Sequence, residues 1–175
     1  MLIEGHDIKA AIVDLDGVVT DTARIHAKAW LKTFEGFLAK QARVRKLPPG
    51  KAHFSIRNDY SKYIDGKPRY EGVSAFLASR GIELPWGNSN DEPGFGTVCA
   101  IGNLKNKFFL ELLRRDGPSI CSASVEQLRR WRKDGMKLAV VSSSRNCREV
   151  LERAGLTELF DFVFDGVDLA NAGNE

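Results

Sequence analysis

The sequence predicts an α/β fold in which a parallel β-sheet is interrupted by a long helical insertion. Three short apolar segments have the character of buried strands, at residues 8–13, 137–141 and 162–164. Stretches with helical spacing separate these segments, and the longest stretch lies between the first two. Right-handed crossovers can join such strands into one sheet, which places functional residues at the carboxyl ends of the strands.

The insertion is predicted to be mainly helical. Apolar residues recur at helical spacing over residues 23–38 and again over residues 105–115. Shorter helices are predicted at residues 60–64 and 73–77, and Arg69 is placed in the loop between them.

Composition and charge are those of an ordinary globular protein. Of the 175 residues, 43% are hydrophobic and 28% are charged, which is enough apolar material for a core. The net charge of +3 suits a small anion as well as nucleic acid, and we expect neither nucleic acid nor membrane as a partner. The three cysteines, Cys99, Cys121 and Cys147, fit neither a disulfide framework nor a zinc site. The sequence also contains no candidate signal peptide or membrane span. We therefore expect a cytoplasmic protein whose cysteines are reduced thiols.

Two carboxylates follow the first strand directly, in the segment Asp14-Leu15-Asp16-Gly17. Side chains two residues apart at a strand end can converge, which is costly unless a cation lies between them, and Mg²⁺ would remove that cost. Asp14 could attack phosphorus as a carboxylate nucleophile, and Asp16 could exchange a proton with a sugar or water oxygen. An ordinary turn at a strand end also uses Asp-Gly, but such a turn does not account for two carboxylates.

The segment from Asp14 to Thr22 resembles the first motif of the haloacid dehalogenase superfamily, and residues 23–30 resemble the β-phosphoglucomutase family in particular. The resemblance extends over residues 8–167. It implies a Rossmann-like core, residues 1–22 and 117–175, and an inserted helical cap, residues 23–116. It also implies magnesium-dependent phosphoryl transfer on a small sugar phosphate, with Asp14 and Asp16 as metal ligands.

A serine-rich segment follows the second predicted strand. Hydroxyl groups and backbone N–H groups at a helix N-terminus form an anion site, whereas capping a helix requires only one serine. By the resemblance, Ser142 and the amide of Ser143 hold the transferring phosphoryl group. Ser144, Arg145 and Asn146 then face the other end of the sugar phosphate.

The resemblance also gives roles to three basic residues of the cap. His26 matches a histidine that couples closure of the cap to the acid/base aspartate. Arg69 matches an arginine that holds a phosphate through two hydrogen bonds, and Lys105, with Asn106, matches a pair that contacts substrate. Without the resemblance, each of these side chains would be interpreted as solvated or simply packed.

Two later motifs of the family are not found in the 175 residues. One is a lysine that neutralises the nucleophile and the phosphoryl oxygens, and no lysine follows Lys137. The other is an acidic pair that completes the magnesium shell; Asp161, Asp165 and Asp168 precede its position and are not assigned to it.

Three functions therefore remain open. The first is a phosphomutase of the β-phosphoglucomutase type, which His26, Arg69 and Lys105 favour. The second is a sugar-phosphate phosphatase, for example one related to trehalose phosphatases. The third is a catalytically inactive remnant that binds phosphate or a partner.

The resemblance also predicts an open edge in the sheet. The first strand is expected to lack a neighbour on one side, with apolar side chains beside its unpaired backbone groups. An edge of this kind is a template for another chain, and we therefore expect self-association or marginal stability.

Overall fold

The computed structural model describes residues 2–3, 6–44 and 51–172. The chain forms two compact units, of which the first comprises Met1–Ala23 and Leu113–Glu175 and the second comprises Arg24–Leu112. No helix in these described stretches is long and apolar enough to cross a bilayer.

The strands belong to the first unit. In chain order they are β1 (Leu2–Ile3), β2 (His6–Asp7), β3 (Ala10–Asp14), β4 (Thr20–Asp21), β5 (Ser119–Ile120), β6 (Lys137–Val141) and β7 (Phe162–Phe164). Among the described residues, β3, β6 and β7 form a parallel sheet in that order, and two antiparallel pairs join β1 to β2 and β4 to β5. The predicted parallel α/β class is confirmed.

Helices occur in both units. In chain order they are α1 (Ala23–Val44), α2 (Arg69–Arg80), α3 (Val98–Asp116), α4 (Ser122–Lys133), α5 (Cys147–Ala154) and α6 (Gly166–Ala172), with a π-helical segment (Ile56–Ile64) between α1 and α2. The prediction placed Arg69 in a loop, but Arg69 is the first residue of α2, preceded by Pro68 at the N-cap. Proline just before a helix is common because it lacks the N–H that would go unused there.

One face of the parallel sheet is covered. Leu138 and Val140 of β6 are buried, as are Leu128 of α4, which contacts β6, and Leu151 of α5. Helix α5 ends at Ala154, and the C-cap Gly155 has a φ of 66°, in the left-handed region that favours glycine.

The other face of the sheet is open in the described structure. Ile12 is 74% exposed, Phe162 72%, Phe164 43% and Val141 39%. Of the described strands, β3 pairs with β6 alone, and the predicted open edge is confirmed for this part of the chain. An apolar sheet face beside an unpaired edge strand is unusual for a protein that is monomeric in solution.

The second unit is a helical cluster with an aromatic core. The ring of Phe34 on α1 stacks on Trp30 at 5.1 Å and lies 4.0 Å from Phe76 of α2. A buried ion pair of 2.7 Å between Asp59 and Arg80 joins the π-helical segment to α2. Because both charges are shielded from water, losing either partner would leave the other uncompensated.

Candidate active site

Two carboxylates lie at the edge of the sheet where β3 ends. Asp14 is the last residue of β3, and Asp16 lies in the loop that follows. Oδ1 of Asp14 accepts a hydrogen bond of 2.9 Å from the N–H of Leu15, which orients the carboxylate. Leu15 and Val19 are fully buried and anchor the loop, whereas Asp14 and Asp16 are exposed. Gly17 has a φ of 80°, which allows the chain to turn sharply after Asp16.

Thr22 holds the second carboxylate in place. Its hydroxyl donates a hydrogen bond to Oδ1 of Asp16, and its side chain is buried. Oδ1 of the neighbouring Asp21 accepts a hydrogen bond of 3.2 Å from the N–H of Ala23, the first residue of α1. Thr22 is therefore a candidate site residue that lies within the first motif but was not assigned a role from the sequence.

The serine-rich loop follows β6 at the same end of the sheet. Oγ of Ser142 accepts from the N–H of Ser144 at 3.1 Å, and Oγ of Ser144 accepts from the N–H of Asn146 at 3.2 Å. Among the described residues, the amides of Ser143 and Arg145 donate to no protein group. Ser142 and Asn146 are buried, whereas Ser143 and Arg145 are exposed, and α5 begins only at Cys147. The two unengaged amides and the hydroxyl of Ser142 are what an anion site requires.

A charged cluster behind this loop was not assigned a role from the sequence. Arg148 of α5 reaches Asp165 at 3.0 Å and Asp168 at 2.9 Å, which joins the start of α5 to the start of α6. The pKa of Asp168 is lowered by the hydrogen bond from the N–H of Asp165 and further by Arg148. The signal in the sequence was the spacing of Asp165 and Asp168, which is that of an N-cap and the third helical residue.

The carboxylates at this end of the sheet raise the pKa of one neighbouring thiol, that of Cys147. Cys147 is fully buried, and burial raises its pKa to about 12, with Asp165, Asp16 and Asp14 adding to the effect. The charge of Asp165 is balanced by Arg148, whereas Asp14 and Asp16 are exposed and their negative charge would favour a bound cation.

The chemistry of these donors fits magnesium better than a metal that needs a protein cage. No three His, Cys, Asp or Glu side chains in the described stretches lie close enough to hold a metal between them. Mg²⁺ in phosphoryl-transfer sites keeps several waters and uses one or two carboxylates with substrate phosphate. The carboxylate of Asp14 and the backbone carbonyl of Asp16 would supply oxygen ligands of that kind.

The second unit gathers the three predicted basic residues of the cap. Lys105, only 3% exposed, lies 2.7 Å from Nδ1 of His26. The ring of His26 packs on Phe109 at 4.3 Å, and Arg69 donates to Asn106 at 3.0 Å. Burial lowers the pKa of His26 well below 6.5, and the charges of Lys105 and Arg69 lower it further. His26 is therefore a neutral imidazole at pH 7, and Lys105 donates to its Nδ1.

A cavity of about 430 Å³ in the second unit is separate from these residues. Its walls come from the C-terminal half of α2, the segment that follows and the start of α3, and they contain none of the predicted site residues. The lining residues are Ser74, Leu77, Ala78, Gly81, Ile82, Glu83, Leu84 and Val98.

Comparison with known proteins identifies the class. The family model of the haloacid dehalogenase-like hydrolases matches residues 8–175, and the chain therefore belongs to this family of enzymes. A β-phosphoglucomutase of Mycobacterium bovis is 42% identical over 164 residues, covering 93% of this chain and 61% of the relative. An uncharacterized glycosyl hydrolase of Mycobacterium tuberculosis is 37% identical over 172 residues, covering 96% of this chain and 12% of that protein.

Solved structures agree with this assignment. A β-phosphoglucomutase from the archaeon Pyrococcus sp. strain ST 04 matches with a TM-score of 0.60 at 26% identity, over 89% of this chain and 63% of that one. The chain thus spans about three-fifths of the length of the β-phosphoglucomutases that it matches. These relatives confirm the predicted superfamily and the resemblance to β-phosphoglucomutases.

Proposed function

We propose that this chain takes part in magnesium-dependent phosphoryl transfer on a small sugar phosphate. The supporting observation is the register of the sheet, in which Asp14 lies directly beside Val141, the residue before Ser142. The candidate nucleophile and the serine-rich anion loop therefore start from neighbouring positions on paired strands.

The candidate site residues of the first unit have separate parts in the proposed reaction. A carboxylate oxygen of Asp14 attacks phosphorus, a bond from Asp14 to phosphorus forms, and the bond from phosphorus to the donor oxygen breaks. The hydroxyl of Ser142 and the amide of Ser143 hold the phosphoryl oxygens. Asp16, oriented by Thr22, gives a proton to the leaving oxygen and takes one from the next acceptor. Mg²⁺, held by the carboxylate of Asp14 and the backbone carbonyl of Asp16, would offset the charge of Asp14 and of the phosphoryl oxygens.

The acceptor of the phosphoryl group separates two candidate activities. When a sugar hydroxyl attacks the aspartyl-phosphate the enzyme is a mutase, and when water attacks it the enzyme is a phosphatase. We favour the mutase, because the 42% identical relative is a β-phosphoglucomutase and because His26, Arg69 and Lys105 match basic residues of the β-phosphoglucomutase family. An inactive chain that binds phosphate or a partner is the third candidate.

Replacement of each aspartate tests the proposal. Asp14→Asn should abolish both the hydrolysis of a generic phosphomonoester with Mg²⁺ and the adduct with beryllium fluoride, because an amide cannot act as the nucleophile. Asp16→Asn should lower turnover more than adduct formation, because only the proton transfer is lost. Adduct formation without turnover in the wild type would identify an inactive binder, and wild-type turnover in Asp14→Asn would refute the assignment of the nucleophile.

We also propose that the open sheet edge binds a second copy of this chain. Antiparallel pairing of two β3 strands would place the Asp14 end of one copy beside the Ala10 end of the other. Lys9 and Lys137 lie at that end, since Lys137 is the register partner of Ala10, and opposite charges would therefore meet. The Ile12 side chains of the two copies would then lie directly opposite each other on one face of the joined sheet.

A further inference from the structure

The first residue of α6 lies in close contact with the backbone of the serine-rich loop. A Cβ built on Gly166 would lie 2.3 Å from the carbonyl oxygen of Ser143 and 3.0 Å from the amide nitrogen of Arg145. Gly166 also donates its own N–H to the carbonyl of Ser144, at 3.3 Å. A side chain at this position would therefore overlap with the loop backbone.

The start of α6 is itself held firmly. Asp165 is buried, and its Oδ1 accepts hydrogen bonds from the N–H groups of Val167 and Asp168 at 2.7 and 3.2 Å. In return, Oδ2 of Asp168 accepts from the N–H of Asp165 at 3.0 Å, and Arg148 of α5 pairs with both carboxylates. Gly166 thus cannot easily move away from the loop.

The contact bears on the hydroxyl that is proposed to hold phosphate. In a trans peptide the C=O and the next N–H point in opposite directions. The carbonyl of Ser143 points toward Gly166, and the N–H of Ser144 therefore points away from it, toward Oγ of Ser142 at 3.1 Å. Pressure on this carbonyl would rotate the peptide and break the hydrogen bond that orients Ser142.

We propose that Gly166 is a positioning residue of the phosphate loop, an inference that rests on the proposed function. The absence of a side chain at position 166 lets the peptide between Ser143 and Ser144 take the orientation that directs Ser142 and the Ser143 amide toward a phosphoryl group. Gly166 contacts the loop and acts through it.

The backbone of Gly166 does not itself require glycine. Its φ lies outside the left-handed region, and alanine is a better helix former than glycine. A purely structural role in α6 would therefore predict that Gly166→Ala leaves the loop unchanged and the helix no weaker. Only the overlap with Ser143 and Arg145 predicts a loss of phosphate binding.

Titration calorimetry with inorganic phosphate and Mg²⁺ tests the inference on the full chain, with circular dichroism as a check on folding. Gly166→Ala should weaken phosphate binding by about tenfold or more, because displacement of a site group by about 1 Å can cost up to about a hundredfold. Gly96→Ala is the matched control, since a Cβ at Gly96 would meet no atom within 4 Å. This control should bind phosphate like the wild type.

Asp168→Asn serves if Gly166→Ala does not fold. It removes the ion pair with Arg148 but adds no atom near the loop, and it should weaken phosphate binding by about threefold. A folded Gly166→Ala variant that binds phosphate with wild-type affinity would overturn the inference but not the proposed function. If Gly166→Ala is unfolded, wild-type phosphate affinity in Asp168→Asn would do the same. A wild type that binds no phosphate would overturn both the inference and the proposed function.

Discussion

Replacing Ile12 by lysine should separate two associated copies of the chain without unfolding either. Ile12 lies at the middle of β3 and is 74% exposed, so the substitution removes little packing from a single copy. In the proposed pair of β3 strands, by contrast, the two Ile12 side chains lie directly opposite each other and are partly covered. Lysine would place two charges there, one from each copy.

The size of the effect follows from the exposed areas. The paired strands gain backbone hydrogen bonds, worth roughly 0.5–1.5 kcal/mol each. The two Ile12 side chains, each 74% exposed in a single copy, also partly cover one another, which is worth roughly 1–2 kcal/mol for each copy. Association costs roughly 4–15 kcal/mol in lost freedom of motion, which leaves a weak dimer. Ile12→Lys removes about 1–2 kcal/mol from each copy. At 1.4 kcal/mol for each factor of ten, the dissociation constant should rise about a hundredfold.

Light scattering across a dilution series measures this constant. The control is Ile56→Lys, which changes a comparably apolar residue, 41% exposed, on the π-helical segment of the second unit. We expect the control to associate like the wild type and Ile12→Lys to remain monomeric. A wild type that stays monomeric at the highest concentration, or an Ile12→Lys variant that associates equally well, would show that the edge does not bind a second copy.

Two further predictions concern the second unit. Arg69→Ala should weaken binding of a sugar phosphate by about 1.5–3 kcal/mol while leaving inorganic phosphate unaffected, and calorimetry should show no change for Arg57→Ala, an exposed arginine on the π-helical segment. Equal losses for both ligands would contradict the role of Arg69 in holding the sugar phosphate. The lowered pKa of His26 means that the unfolded chain binds this proton more tightly than the folded chain, so stability should fall as the pH drops below 6.5. Urea unfolding at about pH 5.5 and about pH 7.5 should show a smaller difference for His26→Gln than for the wild type, and equal differences would contradict a buried neutral imidazole.

The strands of the sheet were predictable because their sequence pattern is local. The apolar runs that form β6 and β7 have the predicted bounds, and β3 differs from its predicted bounds by two residues or fewer. Helix α6 was missed because its seven residues are too few to show a helical period, and its start depends on the reciprocal hydrogen bonds of Asp165 and Asp168. The helical position of Arg69 was missed because Pro68 and Arg69 were interpreted as a loop, whereas Pro68 is the N-cap of α2.

The positions of the candidate site residues were predictable from the sequence, whereas the contacts that support them were not. Asp14 and Ser142 directly follow apolar strands, and parallel pairing alone brings their backbones together. The bond from Lys105 to His26 and the contact of Gly166 with the loop join residues that are distant in the chain. Such contacts depend on how helices pack, and no spacing rule within one segment could indicate them.

Cys147 offers a way to observe when the first unit opens. A cysteine at the start of a helix usually ionises readily, but burial and the nearby carboxylates raise the pKa of this one to about 12. In the closed protein the thiol therefore resists both alkylation and oxidation at neutral pH. The rate at which a thiol reagent labels Cys147 therefore reports how often local unfolding exposes the region behind the serine-rich loop to solvent. Cys147 is thus a natural probe of local unfolding near Asp14, the candidate nucleophile.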